Sequence, residues 1–313
     1  MAFHKVPTNT GPKKLPQPQG IIKQSVTRIP LRFYINAAAS LVAVAIVALA
    51  VRGVLYTEDA LPCSTRYDNG ILFGLQDKSG GAISPTDLQG RLAGSDWGLL
   101  ENTTVVRLKD GPAPVALQIS LPKLPDKAET SAQPKSGMGF TWLPTKLPNA
   151  KAACLTYNVW LPQDFNFGTG GALPGLFGGE AGDTPSLKSK AAFSTRNAWS
   201  PDGQAQVRTV TAVDPKGTIY EADANGLELQ RGRWSRLEQE VVLNQPGEKD
   251  GVLRVWVDGK LRLADTGMVF RKDERSLLRG VIADVHYSNG ALTAMPSPKT
   301  TALQMTPFEL YWQ

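Results

Sequence analysis

After residue 65, the sequence consists of short runs of β-branched, aromatic and aliphatic residues separated by turns. The runs typical of strands are 104–108, 115–121, 155–161, 237–243, 252–257, 260–263, 281–287 and 308–312. Asp258-Gly259, between two of these runs, suits a type I′ hairpin turn because glycine tolerates a positive φ. No amphipathic helical pattern follows residue 60. Short strands with regular turn signals predict an all-β fold, an antiparallel β-sandwich or jelly roll.

The N-terminal part has a different texture. Residues 1–32 are rich in Pro, Lys, Gln and Thr and predict a basic, disordered tail. The chain is then almost wholly apolar from Phe33 to Val51, about the length that a helix needs to cross a bilayer. We therefore predict one transmembrane helix over residues 33–55, a linker over 56–65 and a single β-domain over 66–313.

Six basic residues precede the apolar run, whereas Glu58 and Asp59 follow it. This asymmetry predicts a cytoplasmic tail and a periplasmic or extracellular domain on a single-pass membrane protein. Ala48-Leu49-Ala50 also fits the small-x-small pattern of a signal peptidase site, so a secreted form cleaved near Ala50 is the alternative. Both interpretations export the domain.

Charge and cysteine usage limit the classes of partner. The net charge of +6 favours anionic partners, but the domain has no dense basic and aromatic stripe, so we expect no nucleic acid. Cys63 and Cys154 form either one disulfide or two buried free thiols. We find no Cys/His cluster with metal-ligand spacing and predict neither a metal nor another cofactor. Of the two histidines, His4 lies in the tail and leaves His286 as the one candidate base.

The middle of the chain carries several motifs in a fixed order. They are LTYNVWLPQDFNF at 155–167, GGALPGLFGG at 170–179, FSTR at 193–196 with Trp199, the pair Gly232 and Trp234, EQEVVLN at 238–244 and GVLRVWVDG at 251–259. This order resembles the family 14 polysaccharide lyases, which include alginate and glucuronan lyases. The resemblance implies a concanavalin-like β-jelly roll whose concave face holds an acidic polysaccharide. It also implies that 170–176 is a loop after a strand and a turn.

Lyases of this kind cleave uronate chains by β-elimination, which sets three chemical tasks. A cation must neutralise the C6 carboxylate, a base must remove the C5 proton, and an acid must protonate the departing O4. Arginine suits the first task because it stays charged and grips a carboxylate with two hydrogen bonds.

The sequence departs from the resembling enzymes at the proton-transfer positions. Ala172 occupies the place of the family's catalytic lysine in the Gly-Gly-Lys loop. Arg208 and Val210 occupy the places of an expected Tyr-x-Tyr pair. Ser194 and Arg196 retain the family's Ser-x-Arg pair.

The remaining candidates define a possible rebuilt site. Ser194, Arg196 and Arg208 lie on one face if their segments are strands. The candidate catalytic residues are Ser194, Arg196, His286 and Tyr287, with Asp284 positioned to orient the histidine. The candidate substrate-binding residues are Arg208, Trp199, Lys188 and Lys190. Each has a plainer alternative, since the arginine can pair with a structural carboxylate and the histidine can be a packed strand residue.

Three functions follow from this pattern. The first is a membrane-anchored module that binds uronate-containing polysaccharide, with catalysis weakened or lost. The second is an active lyase with a rebuilt site, and the third is a structural envelope protein with a vestigial groove. A glucanase would need paired acids. Glu238 and Glu240 have the required spacing, but they fall in a segment that resembles a plain lyase strand.

Overall fold

The computed structural model describes residues 36, 38, 40–48, 61–92, 96–123, 136–147, 150–182, 192–222, 228–288 and 295–313. Residues 40–48 are helical and carry exposed apolar side chains. None of the helices formed by the described residues is long and apolar enough to cross a membrane. Most of the predicted span 33–55, and the whole predicted tail 1–32, lie outside the described residues.

The described residues from Leu61 onward form two packed antiparallel sheets, as the sequence pattern predicts. Sheet one has the order β13-β12-β11-β6-β16-β4-β3, with β17 pairing with β6 and β1 pairing with β17. Its strands are β1 (Asn69–Phe73), β3 (Thr103–Arg107), β4 (Val115–Leu121), β6 (Ala152–Trp160), β11 (Trp234–Val242), β12 (Gly251–Val257), β13 (Lys260–Met268), β16 (Thr301–Met305) and β17 (Phe308–Trp312).

Sheet two has the order β10-β9-β8-β7-β14-β5-β2, with β15 pairing with β7. Its strands are β2 (Asp96–Trp97), β5 (Gly139–Trp142), β7 (Gly171–Gly179), β8 (Phe193–Trp199), β9 (Ala205–Val210), β10 (Thr218–Glu221), β14 (Leu277–Ile282) and β15 (His286–Tyr287). The helices described after residue 60 are short: α1 (Pro85–Gly90), α2 (Leu99–Asn102) and the 3₁₀ turn Cys63–Thr65.

The predicted hairpin and the predicted loop have opposite outcomes. Asp258 and Gly259 join β12 to β13 with φ values of 50° and 74°, which confirms the type I′ turn. The prediction of a loop over 170–176 is wrong, because residues 171–176 lie within strand β7 (Gly171–Gly179). Its glycines allow close approach: a Cβ on Gly171 would collide with the Trp199 ring, and one on Gly178 with Phe193.

The N-terminal end of the domain is fastened to sheet one. Cys63 and Cys154 of β6 form a disulfide, which decides between the two alternatives left open for these residues. The amide nitrogen of Ser64 donates to Glu238, and Arg66 lies 2.8 Å from Glu240. The segment from Cys63 to Arg66 is therefore attached to β6 and β11 of sheet one.

Candidate functional site

The candidate residues are positioned by the alternation of β8. Thr195 and Asn197 contact residues of sheet one, so they lie on the inner face of sheet two. Because side chains alternate along a strand, Ser194 and Arg196 lie on the opposite, outer face. Arg196 is directly opposite Arg208 of β9 in the strand register, and cross-strand partners share a face. The predicted grouping of Ser194, Arg196 and Arg208 on one sheet face therefore matches the structure.

The two arginines are buried and only partly neutralised. Arg196 is 7% exposed and Arg208 is 3% exposed. An Nη2 atom of Arg196 lies 3.3 Å from an Asp284 carboxylate oxygen, and Arg208 donates to the Ser288 hydroxyl. Among the described residues, neither Nε atom has a hydrogen-bond partner. Burial lowers the pKa of Arg208, and the positive charge of Arg196 lowers it further.

His286 lies on the same outer face. It is the cross-strand partner of Ala172, which is itself the partner of Ala198 on β8. Its Nδ1 is 2.8 Å from the Tyr287 carbonyl oxygen. A carbonyl only accepts, so Nδ1 carries the proton and Nε2 carries the lone pair. Burial lowers the pKa of His286, the charges of Arg196 and Arg208 act in the same direction, and Asp284 partly opposes them.

Two predicted site residues lie on the other face. Trp199 is fully buried between the sheets and donates its indole N–H to the Phe167 carbonyl. Tyr287 contacts the same indole, and its hydroxyl donates to the Asn166 carbonyl at 2.5 Å. The predictions that Trp199 binds substrate and that Tyr287 is catalytic are therefore wrong, because both side chains point into the core between the sheets. Lys188 and Lys190 lie outside the described residues.

Sequence reasoning missed three contributors to this face. Ser288 alternates with His286 and Asp284, so period-two spacing could have indicated it. The ring of Trp97 lies 5.8 Å from the His286 ring. Gly139 permits this packing, since a Cβ there would collide with the Trp97 indole nitrogen and the Asp284 carboxylate. No local sequence signal marks Trp97 or Gly139, because the contacts come from strands distant in the chain.

The structure also bears on metal and glycosidase chemistry. The described residues contain one cluster of three potential metal ligands, namely Cys63, Cys154 and Glu238. The two sulfurs are joined in a disulfide, so this cluster offers no thiolates. Glu238 and Glu240 are buried in ion pairs of sheet one, with Arg236 at 2.9 Å and Arg254 at 2.8 Å respectively. They form no pair of free acids.

Comparison with known proteins agrees with the fold. The family model for Polysaccharide lyase 14 matches residues 113–306, more than half of the chain. No curated protein matches the sequence.

Three solved structures illustrate the likeness. The PL-14 alginate lyase from Aplysia kurodai has 22% identity and a TM-score of 0.55, with 70% of this chain and 89% of that chain covered. Alginate lyase vAL-1 from Chlorella virus has 20% identity and a TM-score of 0.60, with 79% and 100% covered. The endo-β-1,4-glucuronan lyase from Trichoderma reesei has 10% identity and a TM-score of 0.50, with 67% and 87% covered. At these identities the likeness establishes the fold.

Proposed function

This chain belongs to the polysaccharide lyase 14 family, and from that premise we propose that it binds acidic, uronate-containing polysaccharide on the outer face of sheet two. The observation that carries the proposal is the pair of buried arginines, Arg196 and Arg208, which lie opposite each other on β8 and β9, with Asp284 as the one carboxylate paired with them among the described residues. Two buried like charges with one carboxylate between them are costly, and a ligand carboxylate with two acceptor oxygens lowers that cost. Asp284 offsets one of the two positive charges, which leaves the pair able to accept one further anion.

The residues of the outer face favour binding of the polysaccharide over its cleavage by β-elimination. Ala172 and Val210 have no group that transfers a proton, and Arg208 stays protonated at neutral pH. Tyr287, which could have served as an acid or base, is turned into the core, where burial raises its pKa to about 12. The outer face thus retains the charge that holds a uronate and lacks the family's proton-transfer side chains.

One observation favours an active lyase as the second candidate. Nδ1 of His286 is held as a donor by the Tyr287 carbonyl, so Nε2 is a base on the arginine face. In this mechanism Nε2 takes the C5 proton, the electron pair forms the C4=C5 double bond, and the C4–O4 bond breaks. The imidazolium then returns the proton to the departing oxygen. Arg196 or Arg208 would stabilise the carboxylate on which negative charge develops.

We further propose that residues 33–55 anchor the chain in a membrane with the domain on the extracytoplasmic side. Helical residues 40–48 expose Leu41, Val42 and Val44. The Cys63–Cys154 disulfide supports export, because such bonds persist in oxidising compartments. Recovery of the intact chain in carbonate-washed membranes supports the anchor. A soluble product starting near residue 50 would instead identify the cleaved, secreted form.

Calorimetric titration of the full chain tests the binding proposal. The ligands are saturated tetra-uronates prepared from alginate and from glucuronan, with a neutral glucan tetrasaccharide as the control. We expect uronate binding that weakens with salt, and a loss of at least about tenfold in Arg196→Ala, as for a charged hydrogen-bonded pair. Arg233→Ala is the matched control, because Arg233 is an exposed arginine paired with Asp258 at the β12–β13 turn.

The same samples separate the candidate functions. Release of unsaturated uronate ends, measured by ultraviolet absorbance and abolished in His286→Ala, would replace the binding proposal by an active lyase. Affinity without such release supports the binding module. If neither uronate binding nor release of unsaturated ends is measured, the remaining candidate is a structural envelope protein with a vestigial groove.

A further inference from the structure

A buried hydrogen-bond network crosses the sandwich directly beneath the arginine pair. Gln239 of β11 belongs to sheet one, is fully buried, and points its side-chain amide at sheet two. Its Oε1 accepts from the Leu176 amide at 3.0 Å and from the Thr195 hydroxyl at 2.8 Å. Its Nε2 donates to the Asn197 side-chain oxygen at 3.2 Å. One side chain of sheet one thus bonds two neighbouring strands of sheet two.

The two partners of Gln239 on β8 are the residues on either side of Arg196. Thr195 and Asn197 point inward to the same amide, so the backbone that carries Arg196 is held from both flanks. Since side chains alternate along a strand, fixing 195 and 197 inward fixes residue 196 outward. The direction of the guanidinium therefore depends on a residue on the other sheet.

The network also holds the strand opposite Arg196. The Asn197 amide and the Tyr157 hydroxyl both donate to the Pro174 carbonyl, each at 3.0 Å. Pro174 lies in the register shift of β7 between Ala172 and Gly175, and Gly175 is the partner of Arg196. A Cβ on Gly175 would collide with the Thr195 carbonyl, so the two strands are in close contact there. The register shift lies between Ala172, the partner of His286, and Gly175, the partner of Arg196. The Pro174 carbonyl lies within this shift, so the hydrogen bonds that hold it influence how far His286 and Arg196 are from each other.

We propose that Gln239 is a positioning residue that fixes Arg196 and the β7 register shift for recognition of a uronate carboxylate. This inference rests on the function proposed above. A bidentate contact to a carboxylate depends on orientation, so misdirection of the guanidinium weakens binding without any change in the site's charge.

The test compares Gln239→Met with Val255→Ala in the full chain. Methionine keeps the volume of glutamine and removes all three hydrogen bonds. Val255 is the buried cross-strand partner of Gln239 on β12, so its truncation destabilises the same region of sheet one and leaves the network intact. We expect Gln239→Met to weaken binding of a saturated tetra-uronate about tenfold. Val255→Ala should bind as the wild type does, although its Tm also falls.

Thr195→Val, which removes one network hydroxyl and nearly preserves shape, serves if Gln239→Met does not fold, and it should weaken binding in the same direction. The Nε–Hε resonance of Arg196, assigned by comparison with Arg196→Lys, gives a readout that needs no ligand. It should shift in Gln239→Met or Thr195→Val and stay in place in Val255→Ala. An unshifted resonance, or wild-type affinity in the network variants, overturns the positioning role. Absence of uronate binding in the wild type overturns the proposed function alone, because the resonance still decides whether Gln239 positions Arg196.

Discussion

Arg196 and Arg208 lie directly opposite each other on β8 and β9. Like charges at directly opposed positions of a sheet destabilise it, and here both are also buried. Asp284 pairs with Arg196 at 3.3 Å, while the Ser288 hydroxyl that Arg208 contacts carries no charge. This opposed pair of arginines costs stability in the free protein, as expected of a binding site whose anionic ligand is absent.

Removal of one of these charges should weaken uronate binding strongly and change the stability of the protein little. We expect Arg208→Met to change the free energy of unfolding by less than about 1 kcal/mol, because relief of repulsion offsets the lost contact with Ser288. Tetra-uronate affinity should fall at least about tenfold. Urea unfolding and calorimetric titration measure the two effects.

Arg254→Met is the control for that experiment. Arg254 lies 2.8 Å from the buried Glu240, which also pairs with Arg66, so its loss removes one of two charged hydrogen bonds to this carboxylate and should cost about 2 kcal/mol. If Arg208→Met destabilises the chain as much as Arg254→Met does, Arg208 is a structural residue and the anion site is the wrong interpretation.

Ala172 and His286 should compete for one space. They are cross-strand partners on the outer face, and both are buried. We expect Ala172→Lys to lower the free energy of unfolding by about 1–3 kcal/mol through overpacking against the imidazole. The double variant Ala172→Lys/His286→Ala should recover most of that loss, as urea unfolding of the double-mutant cycle would measure. Additive effects would show that the two side chains do not meet.

The pKa of His286 predicts a pH dependence of stability. The folded protein lowers this pKa from its ordinary value of 6.5, chiefly by burial, so between the two values the unfolded chain binds more protons. The neutral imidazole of His286 therefore makes its full contribution to the free energy of unfolding above about pH 6.5, and this contribution is lost as the pH falls below that value. The slope from this one group is at most about 1.4 kcal/mol per pH unit. Denaturant unfolding from about pH 5 to pH 7 should show a shallower slope in His286→Gln, and an equal slope would contradict the assignment.

The Cys63–Cys154 disulfide should account for a large part of the stability. It closes a loop between positions 91 residues apart in the sequence. We expect the double variant Cys63→Ala/Cys154→Ala to lose about 2–5 kcal/mol in urea unfolding. Reductant should lower the wild-type midpoint and leave that of the variant unchanged. An unaffected wild type would mean that the Arg66–Glu240 ion pair and the hydrogen bond from Ser64 to Glu238 hold this segment without the disulfide.

Alternation along strands made much of the site predictable from sequence. Ser194, Arg196 and Arg208 fall on one face by period two, and the same rule would have placed Trp199 and Tyr287 on the other. Those two residues were misassigned because aromatic side chains are common in both sugar sites and cores. The spacing of residues within a strand, rather than their type, predicts which face of sheet two they lie on.

The remaining features depend on contacts that no local pattern contains. Gly171–Gly179 has the composition of a loop, yet the ring of Trp199 and the backbone of Thr195 require small residues there, so tertiary packing overrides propensity. The partner of Arg196 is Asp284, 88 positions later in the sequence. The contacts of Gln239 could not be predicted from a local pattern, because they join β11 of one sheet to β8 of the other across the core.

A crystal structure of the full chain with a saturated tetra-uronate from alginate or glucuronan tests the central claim most directly. We predict that one uronate carboxylate lies within hydrogen-bond distance of the guanidinium groups of Arg196 and Arg208, on the face that carries His286. A sugar bound elsewhere, with neither guanidinium in contact with a uronate carboxylate, would contradict the claim.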